Sequence, residues 1–278
     1  MTRIPTDRTA RRRAGFTLAG IVIALIAVVV VLGGLVVAHY VSSPRHPTAT
    51  SARSAPATGA ATAPSTTPAA GDTAAAETAL AQRPMLQLPL EAAQPQALTT
   101  QTAGAPISLP TPARTAGQWI PGGFPDTPEG AVGQLTALDE TAVTGGDPQV
   151  YATGYRQTSA PGAPAPATTG VYSVLADMRS HARLVATGPV GGLSVTYQVE
   201  AAQIKGTLAE GSYAVVCVLG QLSIGWQGQI ITAGMGDCQA MTWTGAGWRI
   251  APGALAALAP NAWPGSAAAV AAGYRAVS

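Results

Sequence analysis

From Phe16 to Ala38 the chain carries no charged residue, and its 23 positions are filled almost entirely by Ile, Val, Leu, Ala and Gly. At ~1.5 Å per helical residue such a run crosses a hydrocarbon core of about 30 Å, and a small domain has no interior long enough to hide it. Five Arg against one Asp give the fifteen residues before Phe16 a net charge of +4. Positive charge on that flank predicts a cytoplasmic N-terminus with the remainder of the chain outside. Tyr40 stands where an interfacial aromatic anchors the outer end of a membrane helix.

Three kinds of segment share this appearance. "GFTLAG" resembles the type IV prepilin cleavage site, with Gly15 before the cut and Phe16 opening the mature chain. That pattern places Glu at the fifth mature position, where it pairs with a neighbouring N-terminus during assembly; this chain has Gly20 there. A cleaved signal peptide suits the small residues at Val36–Ala38, but its apolar core runs to only about 7–15 residues. A retained signal anchor suits the whole length and is preferred. It gives a basic cytoplasmic tail over 1–15, a helix in the lipid bilayer over 16–41, and a single-pass protein of the cell membrane with its C-terminal part extracellular. The Arg pair lies too far from Phe16 for a twin-arginine signal, and no Cys follows the run as a lipoprotein requires.

Residues 42–117 are dominated by Ala, Pro, Thr and Ser, with no periodic apolar pattern. Too little apolar surface is on offer to offset the entropy of ordering such a chain, which predicts a disordered stalk. As a coil it spans about 50 Å, and fully extended well over 200 Å, enough to pass through a cell wall. Two islands interrupt it: "DTAAAETALAQ" (Asp72–Gln82), long enough for a short helix capped by Asp72, and "PMLQLPLE" (Pro84–Glu91), a small apolar patch. Both read best as incidental parts of the linker.

All five Trp and both Cys lie at or beyond position 119, so the folded domain is expected over 118–278. Six basic residues against nine acidic ones leave the chain from Gly117 onward at −3; a mildly acidic domain disfavours direct nucleic-acid binding. "DTPEGAVGQLTALDETAVTGG" has the grammar of a helix: Asp126 or Thr127 as N-cap, Pro128 in the first turn, Glu129 placed for a capping box, and Val132, Leu135, Leu138 and Ala142 on one face before Gly145-Gly146. A second helix is predicted from Asp147-Pro148 to about Tyr155, and a third from Val171 to about Val185 with Val174, Leu175, Met178, Ala182 and Val185 as its apolar face. The period then shortens to two. "GLSVTYQVEAAQIKG" alternates like a strand, "SYAVVCVLGQLSIGWQG" reads as a more buried one, and "DCQAMTWTGAGWRI" as a hairpin turning at Thr244–Gly247. "NAWPGSAAAVAAGYRAV" reads as a short Pro-initiated helix. Helices followed by an antiparallel sheet make an α+β domain.

Chemistry-bearing groups are sparse. Of three His, only His181 falls in the domain, one helical turn from Asp177. An acid–base pair there needs both groups turned into a pocket beside Tyr197; an exposed i,i+4 pair is the preferred reading. Asp139 and Glu140 adjoin on a helix and point in different directions, so no paired-carboxylate site is expected. Neither metal-ligand spacing nor a phosphate loop occurs, and no cofactor is expected. Cys217 and Cys238 fall in neighbouring strands; an oxidising compartment favours a disulfide over two buried free thiols.

The order of two or three helices and then curved strands, ending in a hairpin with Trp243, Trp248 and Arg249, resembles the cone-shaped nuclear-transport-factor-2-like fold. With the basic tail, one membrane helix and an external domain, it also resembles the bitopic components of type IV secretion and conjugation machines of Gram-positive bacteria. The resemblance covers roughly Trp119–Ala251. It implies a non-catalytic scaffold that self-associates and contacts other secretion or conjugation channel proteins, and it carries over no catalytic residue. The runner-up expectation is a ligand-binding or enzymatic cone with a pocket between the third helix and the sheet, beside Asp177, His181 and Tyr197; a third is a generic wall-associated protein.

Overall fold

The computed structural model describes residues 70–115 and 118–278. The basic tail, the proposed anchor 16–41 and residues 42–69 of the stalk lie outside the described residues. Among the described residues no helix is long and apolar enough to cross a membrane.

The fold is α+β. Among the described residues five helices, α1 (Ala70–Gln82), α2 (Pro128–Ala142), α3 (Pro148–Gln157), α4 (Gly170–His181) and α5 (Ala267–Ala271), accompany five strands: β1 (Ser194–Leu208), β2 (Tyr213–Trp226), β3 (Gln229–Trp243), β4 (Trp248–Ile250) and β5 (Arg275–Ala276). The strands form one antiparallel sheet in the order β4-β3-β2-β1-β5.

Local chemistry sets the helix starts. Thr127 caps α2, its hydroxyl accepting from Gly130 N at 3.1 Å, with Pro128 opening the first turn. Asp147 caps α3 through Gln149 N at 2.8 Å, and its second oxygen accepts from Gly188 N at 2.6 Å. Thr169 caps α4. That helix ends at His181, four residues short of the sequence expectation. Arg183 takes φ 54°, and the chain folds back so that the buried Arg179 donates from Nε to Gly146 O and from Nη1 to Val185 O, at 2.6 and 3.0 Å. Val185, expected on the apolar face, is 62% exposed. The last helix is capped by the hydroxyl of Ser266 and begins at Ala267, two residues beyond the Pro264-Gly265 turn.

The hairpin at Thr244–Gly247 closes with Trp243 opposite Trp248, their rings 5.7 Å apart and edge-on. Trp248 Nε1 donates to Pro125 O at 2.7 Å and so fastens the hairpin to the start of α2. Strand β3 begins earlier than its sequence suggests, because Gln227 and Gly228 both take positive φ (51° and 77°) and make a two-residue turn directly after β2. Two bulges bend β1, at Val199/Ala201 and Ile204/Gly206.

Helices α2, α3 and α4 cover one face of the sheet, over Val195, Tyr197, Val216, Val218, Met235 and Met241. The opposite face presents Ala201, Val215, Cys217, Leu219, Cys238 and Ala240, and is equally apolar. Its cover overturns the disordered-stalk expectation for residues 70–115. Helix α1 occupies the first island, where Asp72 lies in the first turn rather than at the cap. Ala81, Ala92, Ala93 and Ile107 are buried; Ala81 and, from the second island, Met85 and Leu88 join the cluster on this second face, while Ile107 joins the one under the helices. Backbone bonds stitch the segment to the C-terminal end: Trp263 N to Ala92 O, Thr99 N to Gly265 O, Ile107 N to Ala276 O and Leu109 N to Ser278 O. The ordered body therefore starts by Ala70 and not at Gln118. The cause is the second apolar face, whose cover this segment shares with the C-terminal residues Ala251, Ala256, Ala262, Ala269, Ala272 and Tyr274.

Candidate functional site

The residues expected to line a pocket do not converge. Tyr197 is in the core, 4% exposed, and its hydroxyl donates to Met235 O at 2.8 Å. His181 is exposed at the end of α4, and its Nδ1 lies 2.8 Å from the backbone oxygen of Asp177 rather than from the carboxylate. The preferred exposed-pair expectation thus has the right helix turn but the wrong partner atom.

Cys217 and Cys238 stand directly opposite each other in β2 and β3, with Cα atoms 4.0 Å apart, and are joined as a disulfide. The two-residue turn places them at a non-hydrogen-bonded pair, where antiparallel Cα atoms approach most closely. The bond lies on the face covered by the N-terminal segment.

A polar cluster sits inside the other layer. Along β3 the residues Met235, Asp237, Gln239 and Met241 alternate towards the helices. Gln239 Nε2 donates to both oxygens of Asp237, at 3.1 and 2.9 Å, and Tyr155 OH approaches Gln239 Oε1 at 3.5 Å. From α2, Asp139 enters the same layer fully buried, and neither of its carboxyl oxygens has a hydrogen-bond partner. The hydroxyls of Tyr151 and Thr136 are likewise buried without partners. Burial pushes the Asp139 carboxyl well above the usual carboxylate range, and the nearby charges of Asp237 and Glu140 push the same way. Asp237 is raised to about 6 by burial, opposed by its bonds from Gln239 and from the Cys238 backbone. Burial first, then the two aspartates, raises Tyr151, Tyr155 and, with the order of the acids reversed, Tyr197. Two acids share one dry layer, and each makes ionisation of the other more costly.

Sequence reasoning passed over this cluster. It weighed Asp139 only against its neighbour Glu140 and expected the two to point in different directions, as they do: Glu140 turns to the rim and accepts from Val199 N at 2.8 Å, at the first bulge of β1. The signal that was present is the even spacing of Asp237 and Gln239 with Met235 and Met241, which sets two polar groups on an otherwise apolar face.

Open depressions lie elsewhere. A cleft of about 280 Å³ is bordered by Arg114, Trp119, Gln134, Gln157 and Arg249. Both guanidinium groups are engaged as struts across its walls, Arg114 to Ala246 O at 2.9 Å and Arg249 to Gln157 O. A second, shallower depression of about 440 Å³ is formed by the Pro-rich loop 159–166. Among the described residues no group of His, Cys, Asp and Glu is placed to hold a metal ion.

These features define an α+β domain with a buried polar cluster of Asp139, Asp237 and Gln239 between its helices and its sheet. No protein-family model matches the chain, and neither a curated protein nor a solved structure matches it.

Proposed function

We propose that the chain is a membrane-tethered, non-catalytic scaffold, whose α+β domain is the extracytoplasmic contact unit of an envelope-spanning assembly of the conjugative-transfer or type IV secretion kind. The observation that carries this reading is the closure of the domain on both faces of its sheet. Asp139 and Tyr151 are fully buried, and the hydroxyl of Tyr197 is spent on Met235 O. Asp177 and His181 offer a solvent-side backbone contact in place of an acid–base pair. What the domain presents to a partner is therefore surface and strand edge. The apolar run 16–38 with its basic flank supplies the tether.

The test is affinity capture of the tagged full-length protein from native membranes, followed by mass spectrometry. Recovery of a transfer ATPase and polytopic channel proteins is the expected result, and recovery of the protein alone overturns it. A second reading, a ligand-binding interior, draws on the unpartnered oxygens of Asp139. It is separated from the first by Asp139→Asn, which leaves captured partners unchanged if the domain is a scaffold.

A further inference from the structure

We propose that the domain pairs with a second copy of itself through the outer edge of β3 at Ile230-Ile231-Thr232, extending the sheet across a two-fold axis that passes through Ile231. This stands independently of the membrane reading.

The register follows from the turn. Trp226 pairs with Gln229 across Gln227-Gly228, so the odd-numbered residues Gln229, Ile231 and Ala233 direct their backbone groups at β2. The even-numbered ones direct theirs outward. Further along the strand those outward groups are met: Gly236 N donates to the Asn261 side chain at 2.8 Å, and the Ala240 carbonyl accepts from Ala251 N at 2.8 Å. Ile230 and Thr232 have no backbone or side-chain partner among the described residues. Ile230 is 78% exposed, the highest of the large hydrophobic side chains among the described residues, with Leu98 next at 74%.

The open stretch is complementary to itself. Set antiparallel about Ile231, Ile230 faces Thr232 of the second copy and Thr232 faces its Ile230. Each such pair exchanges two backbone hydrogen bonds, about four in all by the antiparallel pattern. Ile231 then meets its counterpart at the closely spaced kind of pair, on the face where it already lies opposite Ile224 of β2. All three residues are β-branched and suit a paired strand.

Charge favours a second copy over a foreign strand. No charged residue occurs between Glu210 and Asp237. Natural sheets blunt open edges with Lys, Pro or inward charges, and this edge carries none. A strand with net charge repels its own copy; this one does not.

The test uses the full chain in native membranes and in detergent. With Ile231→Cys, mild oxidation is expected to give a disulfide-linked homodimer, because the two positions face each other on the axis. Ser173→Cys, exposed on α4, is the control and should give at least tenfold less. Thr232→Pro removes an N–H that the intramolecular ladder does not use, and Ile230→Lys adds the missing gatekeeper; either one, combined with Ile231→Cys, should lower the homodimer at least tenfold while circular dichroism stays unchanged. Cross-linking no greater than the control, a yield indifferent to both second changes, or an adduct to a different protein in place of the homodimer overturns the proposal.

Discussion

Lys205 Nζ donates to the carbonyl oxygen of Ala81 at 2.9 Å, so the only lysine of the chain closes the C-terminal end of α1. It is the extra residue of the second bulge in β1, between Ile204 and Gly206, and the bulge is what aims it across the sheet face. The contact is reciprocal: Arg83 donates back to Lys205 O, and Tyr213 OH donates to Glu77 O at 3.2 Å. A cation at a helix C-terminus also meets the negative end of the helix dipole. Burial, and then the charge of Arg83, lowers the Lys205 amine to about 8.

Lys205→Ala is expected to release α1 from the sheet. A charge-assisted hydrogen bond contributes about 1.5–3 kcal/mol, so amide hydrogen exchange over residues 72–82 should quicken by roughly ten- to a hundredfold. The helices on the other face should keep their protection. Unchanged exchange in α1 would show that Ala81 and Leu80 packing alone holds the helix down.

Removal of the N-terminal segment gives a harsher test of the two-faced architecture. A chain beginning at residue 118 strips Leu80, Ala81, Met85 and Leu88 from the cluster that holds Val215, Leu219, Ala240 and the disulfide, and leaves it only the C-terminal share of its cover. A fully buried aliphatic side chain contributes about 1.5–3 kcal/mol, and several would be exposed at once. The shortened chain should therefore aggregate or melt far below a chain beginning at residue 70. Equal melting temperatures would restore the view of 70–115 as a linker.

The difference between those two starting points is where composition misled. Helix grammar at Thr127 and Asp147, the apolar face of the third helix and the alternation of β1 are short-range signals, and the structure places helices and a strand there. The segment over 70–115 docks through isolated apolar residues, Ala81, Ala92-Ala93 and Ile107, spaced too irregularly to make a period. Its docking bonds reach residues far along the chain, among them Ile107 N to Ala276 O and Lys205 Nζ to Ala81 O. No local pattern encodes that. The polar layer was hidden for a different reason: Asp139 on α2 and Asp237 on β3 are ordinary carboxylates until the fold brings them into one dry space.

The disulfide tests the pairing of β2 with β3. Cys217 and Cys238 are 21 residues apart, and closing a loop of that size contributes on the order of 3 kcal/mol in the chain-entropy account. Cys217→Ala with Cys238→Ala should lower stability by about that amount without changing the fold. Peptide mapping without reductant should recover the two cysteine peptides linked, and two free thiols would contradict the structure.

The buried acids make stability depend on pH in a direction opposite to most carboxylates. An unfolded Asp titrates near ~3.9, whereas in the fold Asp237 is raised to about 6 and Asp139 is raised well above the usual range. The folded state thus holds protons that the unfolded chain has already lost. Their contribution is fully present below about pH 4 and is lost as pH rises through the folded values. Denaturant melts should accordingly show the two acids costing stability between pH 4 and 7. Asp139→Asn cannot ionise, so its stability relative to the wild type should rise steadily as pH is raised from about 4 to about 7.5. A relative stability that falls over that range would mean that Asp139 is ionised in the fold and held by a partner that the buried layer does not reveal.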